Sequence, residues 1–210
     1  MLPALRGETS RHDMTSMTVT KFRRRLTQEA LHSAFGSVAP DACVRHQVRH
    51  ENSLFPSHPL EAGRQFSRLC RRMADRGALD AATERPYVPW LSRMRSAFWA
   101  AGAQSIDIEK PVEGDTLSGV CDLVAVGGEQ TIAAEVKTVR YGSVATPRLR
   151  DLAQLAAYSH VLLENRSRPA PPLSAWLIYI ELATRSVVLM QFRDASRLAA
   201  PVAPLLAEVR

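Results

Sequence analysis

The stretch TIAAEVKTVR, residues 131–140, sets two charges into an apolar run. Glu135 and Lys137 lie two apart, and alternation along a strand points both to one face. Ile132, Ala133, Ala134, Val136 and Val139 surround them, which marks a largely buried strand. Buried charges are costly unless they are paired or hold a cation. On the solvent face of a strand, Glu-Xaa-Lys is an ordinary ion pair. On an apolar strand it calls for a further partner.

The partner is sought on both sides of the strand. TLSGVCDLVAVGG, residues 116–128, reads as a strand that ends in a Gly-Gly turn, and SIDIEKPVEG, residues 105–114, as the strand before it. A hairpin about Gly127–Gly128 brings Asp122 toward Glu135. Counted from those glycines, Asp122 lies five residues before the turn and Glu135 seven after. A bulge or register offset is therefore expected to bring them level. Two carboxylates facing one way form a hard-oxygen site suited to Mg²⁺ or Mn²⁺. Lys137, on the same face, can hold or polarise a water beside the cation and a scissile phosphate. Downstream, PRLRDLAQLAAYSHVLLENR, residues 147–166, is a strong helix pattern. Gln154 and Tyr158 are four apart on one of its faces, presenting an amide and a phenol to the strands.

The remaining pattern predicts α-α-α-β-β-β-α-β-β-α, an α/β fold with a mixed central sheet flanked by helices. Residues 1–17 read as a flexible basic arm. A helix is expected over residues 18–35, capped by Thr18 or Thr20 with Phe22, Leu26, Ala30 and Phe35 on one side. Residues 36–58 read as a loop. Helices are expected over 59–77 and 86–102, closed by Gly77 and Gly102. SAWLIYIELAT and SVVLMQFR read as two strands joined by a tight turn, and the last helix is interrupted by Pro201 and Pro204. The expected division is an N-terminal helical part over 18–104 and a sheet core over 105–210, one domain in all.

Composition narrows the function classes. The 210 residues are 46% hydrophobic and 23% charged, with a formal net charge of +6 and a pI of about 9.7. The positive excess favours an anionic partner such as nucleic acid. Cys43, Cys70 and Cys121 are scattered, which argues against a disulfide framework, a structural zinc site or a four-cysteine iron–sulfur cluster. No apolar run is long enough to span a membrane, and the N-terminus lacks the apolar core of a secretory signal. The expected setting is the cytoplasm. The basic residues within 1–26, Arg6, Arg11, Lys21, Arg23, Arg24 and Arg25, read as a solvated arm, with a transit peptide to the mitochondrial matrix as the alternative.

The pattern as a whole resembles the RecB-like, mitochondrial-exonuclease-like branch of the PD-(D/E)XK nuclease superfamily. The resemblance rests on Glu109 with Pro111, Gly119 with Asp122, Glu135 with Lys137, and Gln154 with Tyr158, in that order. It covers residues 106–192 well and implies a restriction-endonuclease-like core with an N-terminal helical extension. Upstream it is looser, because Ser67 and Arg71 stand where that branch has His and Glu; His58 and Glu61 precede the glycine instead. The resemblance implies that Asp122, Glu135 and the carbonyl of Val136 ligate Mg²⁺ or Mn²⁺, and that Lys137 positions the attacking water. It implies that Gln154 orients Lys137 or the phosphate and that Tyr158 contacts the DNA backbone. Arg64, Arg68, Arg71, Arg72, Arg148 and Arg150 are expected phosphate contacts that do not read sequence. The implied function is a metal-dependent deoxyribonuclease, exonucleolytic or flap-type, acting on DNA ends or single strands in repair or recombination. Its working partner would be a second copy or a helicase. The rival readings are a decayed nucleic-acid-binding module, a structure- or sequence-specific endonuclease on the same core, and an α/β protein in which the three charged residues are incidental.

Overall fold

The computed structural model of the chain describes residues 16–47, 57–61, 64, 96–166 and 170–209. Its elements in chain order are β1 (Met17–Thr18), α1 (Val19–Arg25), α2 (Gln28–Phe35), β2 (Ala42–Gln47), β3 (Ala103–Glu113), β4 (Leu117–Gly127), β5 (Thr131–Val139), α3 (Leu149–Glu164), β6 (Leu173–Glu181), β7 (Ser186–Phe192), α4 (Ala195–Ala199) and α5 (Val202–Val209). The strands form one mixed sheet in the order β1-β4-β5-β6-β7-β2, with β3 on the other edge of β4. β5 and β6 are parallel and joined by α3, while β3–β4, β4–β5, β6–β7 and β7–β2 are antiparallel. β6, buried at every position, has the continuous apolar run of a strand covered on both faces.

Helices cover one face. α3 is its spine, packing Leu152, Leu155, Ala156 and Val161 with Phe22, Leu31 and Phe35 from α1 and α2 and with Leu198, Val202 and Leu206 from α4 and α5. The other face gathers Ile106, Leu123, Ile132, Ile178 and Leu189 around Phe98 and Trp176, whose rings stack at 4.8 Å. Residues 96–100 are helical there. Among the described residues no helix is long and apolar enough to cross a membrane.

Three local expectations change. The helix over 18–35 is two helices. Leu26 is extended and the Thr27 hydroxyl accepts from the Ala30 amide at 3.1 Å, opening α2 as a fresh cap. The break turns the chain so that Phe22 and Phe35 both reach the core. Residues 42–47, expected in a loop, form β2, the edge strand on β7. Its largely exposed pattern hides it from a search for apolar alternation. The stretch read as an N-terminal helical part, 18–104, thus also supplies strands to the sheet. Finally, Pro201 separates α4 from α5, whereas Pro204 sits in the first turn of α5, where a missing N–H is tolerated.

The sheet forks beside α3. β4 pairs with β5 from Val126↔Thr131 to Leu123↔Ala134. Further along, Leu117 and Ser118 pair with Met17 and Thr18 of β1 instead. β3 occupies the opposite edge of β4 through Glu113↔Ser118, so β1 lies on the edge that β5 has left. Side-chain direction switches at the same place. Cys121 faces the α3 side and Leu123 the far side, although strict alternation would put both on one face. On β3 the switch falls at Glu109, which has φ +48° and lies between Ile108↔Leu123 and Lys110↔Cys121, hence level with Asp122.

Candidate nuclease site

Asp122 stands in the fork. The turn Gly127–Gln130, closed by Gly127 N–H to the Gln130 carbonyl at 2.9 Å, is centred one step later than Gly127–Gly128. The β4–β5 register therefore sets Asp122 level with Glu135, and no bulge is needed. Where the main-chain ladder stops, the Asp122 Oδ2 accepts the Val136 amide at 2.8 Å. The carboxylate thereby replaces a strand partner.

Glu135 is 1% exposed. Its Oε1 is ion-paired with Lys137 Nζ, while its Oε2 is buried with no hydrogen-bond partner among the described residues. Burial, and then the neighbouring Asp122, push the Glu135 carboxyl up to about 8. Burial likewise raises Asp122, partly offset by the Val136 amide and by Lys137; the exposed Glu109 adds a smaller upward push. Two level carboxylates, with Glu135 raised by Asp122 and one of its oxygens left unsatisfied in the interior, form a donor set that fits a divalent cation. The Val136 carbonyl lies on the same strand as a further oxygen donor. Among the described residues no group of three or more His, Cys, Asp or Glu side chains gathers as a cation site, so the offer is two carboxylates plus main chain.

α3 closes the site from its own face. Gln154, buried, accepts Lys137 Nζ on its Oε1 at 3.0 Å and donates through Nε2 to the Tyr158 hydroxyl at 3.3 Å. Burial raises the Tyr158 phenol well above its ordinary range, so it keeps its proton and can donate it. Gly119 makes room. A Cβ there would meet the Tyr158 ring at 3.0 Å and Val19 at 3.3 Å, so β4 accepts the close approach of both helices. Tyr179, rising from β6, fixes where α3 begins. Its hydroxyl accepts the Arg148 amide at 3.1 Å and donates to Asp151 Oδ2 at 3.0 Å, and Arg148 has no side-chain cap of its own.

The structure thus brings together Asp122, Glu135, Val136, Lys137, Gln154 and Tyr158. Of the expected phosphate contacts, Arg64, Arg148 and Arg150 are exposed, and Arg150 Nη1 donates to the Arg23 carbonyl at 3.2 Å. Arg68, Arg71 and Arg72, with Ser67 and Cys70, lie outside the described residues. Exposed His58 and Glu61 serve their own turn: His58 Nδ1 accepts from the Leu60 amide and Glu61 from Ser57. Cys121 is buried and its thiol is raised far above its ordinary range by burial and Glu135, which leaves it inert.

Sequence reasoning missed Arg23. Its Nη1 donates to the same Gln154 Oε1 at 2.7 Å. The signal was present, because Arg23 lies four residues after Val19 and between Phe22 and Leu26, all three of which are buried. It occupies a place in the apolar stripe of α1.

A sequence profile of the PD-(D/E)XK nuclease superfamily matches residues 18–208. No curated protein matches the chain. The solved structure titled "Crystal structure of SSO0001" is 14% identical, covering 91% of this chain and 87% of that one, at a TM-score of 0.33, too low for the likeness to carry an argument. The seven-stranded mixed sheet flanked by helices is consistent with the restriction-endonuclease-like core of that superfamily, whose members are generally nucleases and typically use divalent metals. With the profile running through both halves of the fork and on to the last helix, the chain belongs to the PD-(D/E)XK nuclease superfamily.

Proposed function

We propose that the protein is a metal-dependent deoxyribonuclease of the RecB-like branch, cutting from DNA ends or at single-stranded flaps in repair or recombination. The observation that carries this reading is the buried, unsatisfied Glu135 Oε2 level with Asp122 and beside Lys137. A structural ion pair accounts for Lys137 and Glu135 Oε1 but leaves that second oxygen without purpose. Asp122, Glu135 and the Val136 carbonyl would hold Mg²⁺ or Mn²⁺. When bound, the cation supplies charge neutralisation at the phosphate and makes a water more acidic.

The chain's own groups do the rest. Lys137 Nζ, held between Glu135 Oε1 and Gln154 Oε1, orients the attacking water in this reading. Gln154 sets that ammonium, and Tyr158 offers its phenolic proton to a backbone phosphate. In the hydrolysis a water oxygen forms a bond to phosphorus, the bond from phosphorus to one sugar oxygen breaks, and a proton from the water reaches the departing oxygen through solvent. The exposed Arg64, Arg148 and Arg150 supply sequence-independent attraction, as the net charge of +6 favours.

The test is Lys137→Ala. It is expected to fold and melt like the parent while Mg²⁺-dependent cleavage of linear and single-stranded DNA falls at least 100-fold. Undiminished cleavage would sink the assignment. Cleavage of closed circular DNA by the parent would instead favour a structure- or sequence-specific endonuclease.

A further inference from the structure

α1 ends in three consecutive arginines, and their side chains behave differently. Arg24 and Arg25 are exposed, and Arg25 donates to the Val209 carbonyl at 2.7 Å. Both read as ordinary cations at a helix C-terminus, where the dipole favours positive charge. Arg23 turns inward and is half-buried. Its guanidinium reaches Gln154 Oε1 at 2.7 Å, the oxygen that Lys137 Nζ meets at 3.0 Å. Two cations therefore converge on one neutral oxygen.

The charges are not equally matched. Lys137 has Glu135. Among the described residues Arg23 has no carboxylate within ion-pair distance, and one of the five N–H donors of its guanidinium is used. Gln154 cannot exchange its ends without loss, since its Nε2 donates to Tyr158. The last turn of α1 is also fixed, because Arg150 donates to the Arg23 carbonyl at 3.2 Å and Gly119 lets Val19 sit close to β4. The result is a half-buried fork of N–H donors beside Lys137 that meets no anionic side chain among the described residues. A planar guanidinium suits the paired oxygens of a phosphate.

We propose that Arg23 is a catalytic residue of the nuclease site, whose guanidinium contacts a non-bridging oxygen of the phosphate being cleaved and stabilises the charge that gathers there in the transition state. The proposal rests on the nuclease reading above. Arg23 exchanges no proton; it acts as a fixed charge. Gln154 is the shared strut, placing ammonium and guanidinium on neighbouring sides of one phosphate.

The experiment compares the parent protein with Arg23→Ala, Arg23→Gln and Lys137→Ala. It measures steady-state cleavage of a labelled single strand in Mg²⁺, oligonucleotide binding in EDTA, and thermal melting. Arg23→Ala is expected to lower kcat by about 10²–10³-fold, the range for losing one preorganised transition-state donor. KM and the EDTA binding constant should move less than tenfold. Added guanidinium ion should restore part of kcat in Arg23→Ala and none in Lys137→Ala. Should Arg23→Ala fail to fold, Arg23→Gln, which keeps a polar but shorter and uncharged side chain, is expected to show the same loss in kcat. Wild-type cleavage by a folded Arg23 variant, with Lys137→Ala inactive, overturns the role of Arg23 and leaves the nuclease reading standing. A loss that follows lowered melting and ignores guanidinium also overturns it, as the mark of a packing role. A parent protein that cleaves neither DNA nor RNA in Mg²⁺ or Mn²⁺ removes both.

Discussion

At the scale of single residues, Glu135 is a carboxyl held far from its ordinary state by the fold. Its carboxyl is pushed up to about 8 by burial and by Asp122, against an ordinary value of 4.5. Between those two values the folded protein holds a proton that the unfolded chain has released. By linkage, the stability contributed by Glu135 is full below about pH 4.5, falls as pH rises, and is gone above about pH 8. The metal-free protein is therefore expected to lose melting temperature across that window. Glu135→Gln should flatten the slope, and millimolar Mg²⁺ or Mn²⁺ at pH 8 should restore the parent's melting temperature but not the variant's. A slope that survives in Glu135→Gln would place the titrating group elsewhere. Two strands announced Asp122 and the pair Glu135 and Lys137, since charge in an apolar run is visible in one dimension. Arg23 was not announced in that way. It is covalently distant, and its two arginine neighbours disguise it as part of a solvated basic face.

At the scale of elements, α3 depends for its placement on a neighbour rather than on its own ends. Arg148 caps nothing with its side chain, and the Tyr179 hydroxyl ties both Arg148 N–H and Asp151 to the middle of the sheet. Tyr179→Phe keeps the ring and removes that tie, leaving a buried acceptor and a helix amide without their partner. The expected cost is about 1–3 kcal/mol, read as a lower denaturant midpoint at unchanged m-value. Cleavage should fall as well, because Gln154 rides on the next turn. A second brace acts on the loop ahead of α3. Arg45 of β2 is ion-paired with Glu181 and donates to the Val144 carbonyl at 2.9 Å, while Glu181 accepts the Val144 amide at 2.5 Å. The sequence did not disclose this brace, because β2 is an exposed edge strand whose apolar alternation is faint. By contrast β4, β5 and α3 were legible, since each buries a run of apolar residues.

At the scale of the whole molecule, the fork was the part that one-dimensional reading missed. Turn-counting from Gly127–Gly128 expected an irregularity between Asp122 and Glu135. The irregularity lies instead on the far side of β4, in the left-handed Glu109 and in the exchange of faces along β3 and β4. Which strand fills the edge vacated by β5 is a long-range pairing, Met17↔Leu117, and no local pattern encodes it. That pairing also dictates the order in which the site is assembled. Lys137 and Gln154 are separated by 17 residues, and Asp122 and Val136 by 14, so this half can form within one local unit. Arg23 must find Gln154 across 131 residues, a closure that entropy delays. Pulse-labelling hydrogen exchange during refolding is expected to protect the Val136 amide before the amides of α1, and the reverse order would contradict it. A nascent or partly unfolded chain would then carry its acidic pocket well before the arginine arrives, so that the capacity to gather a cation precedes the capacity to cut.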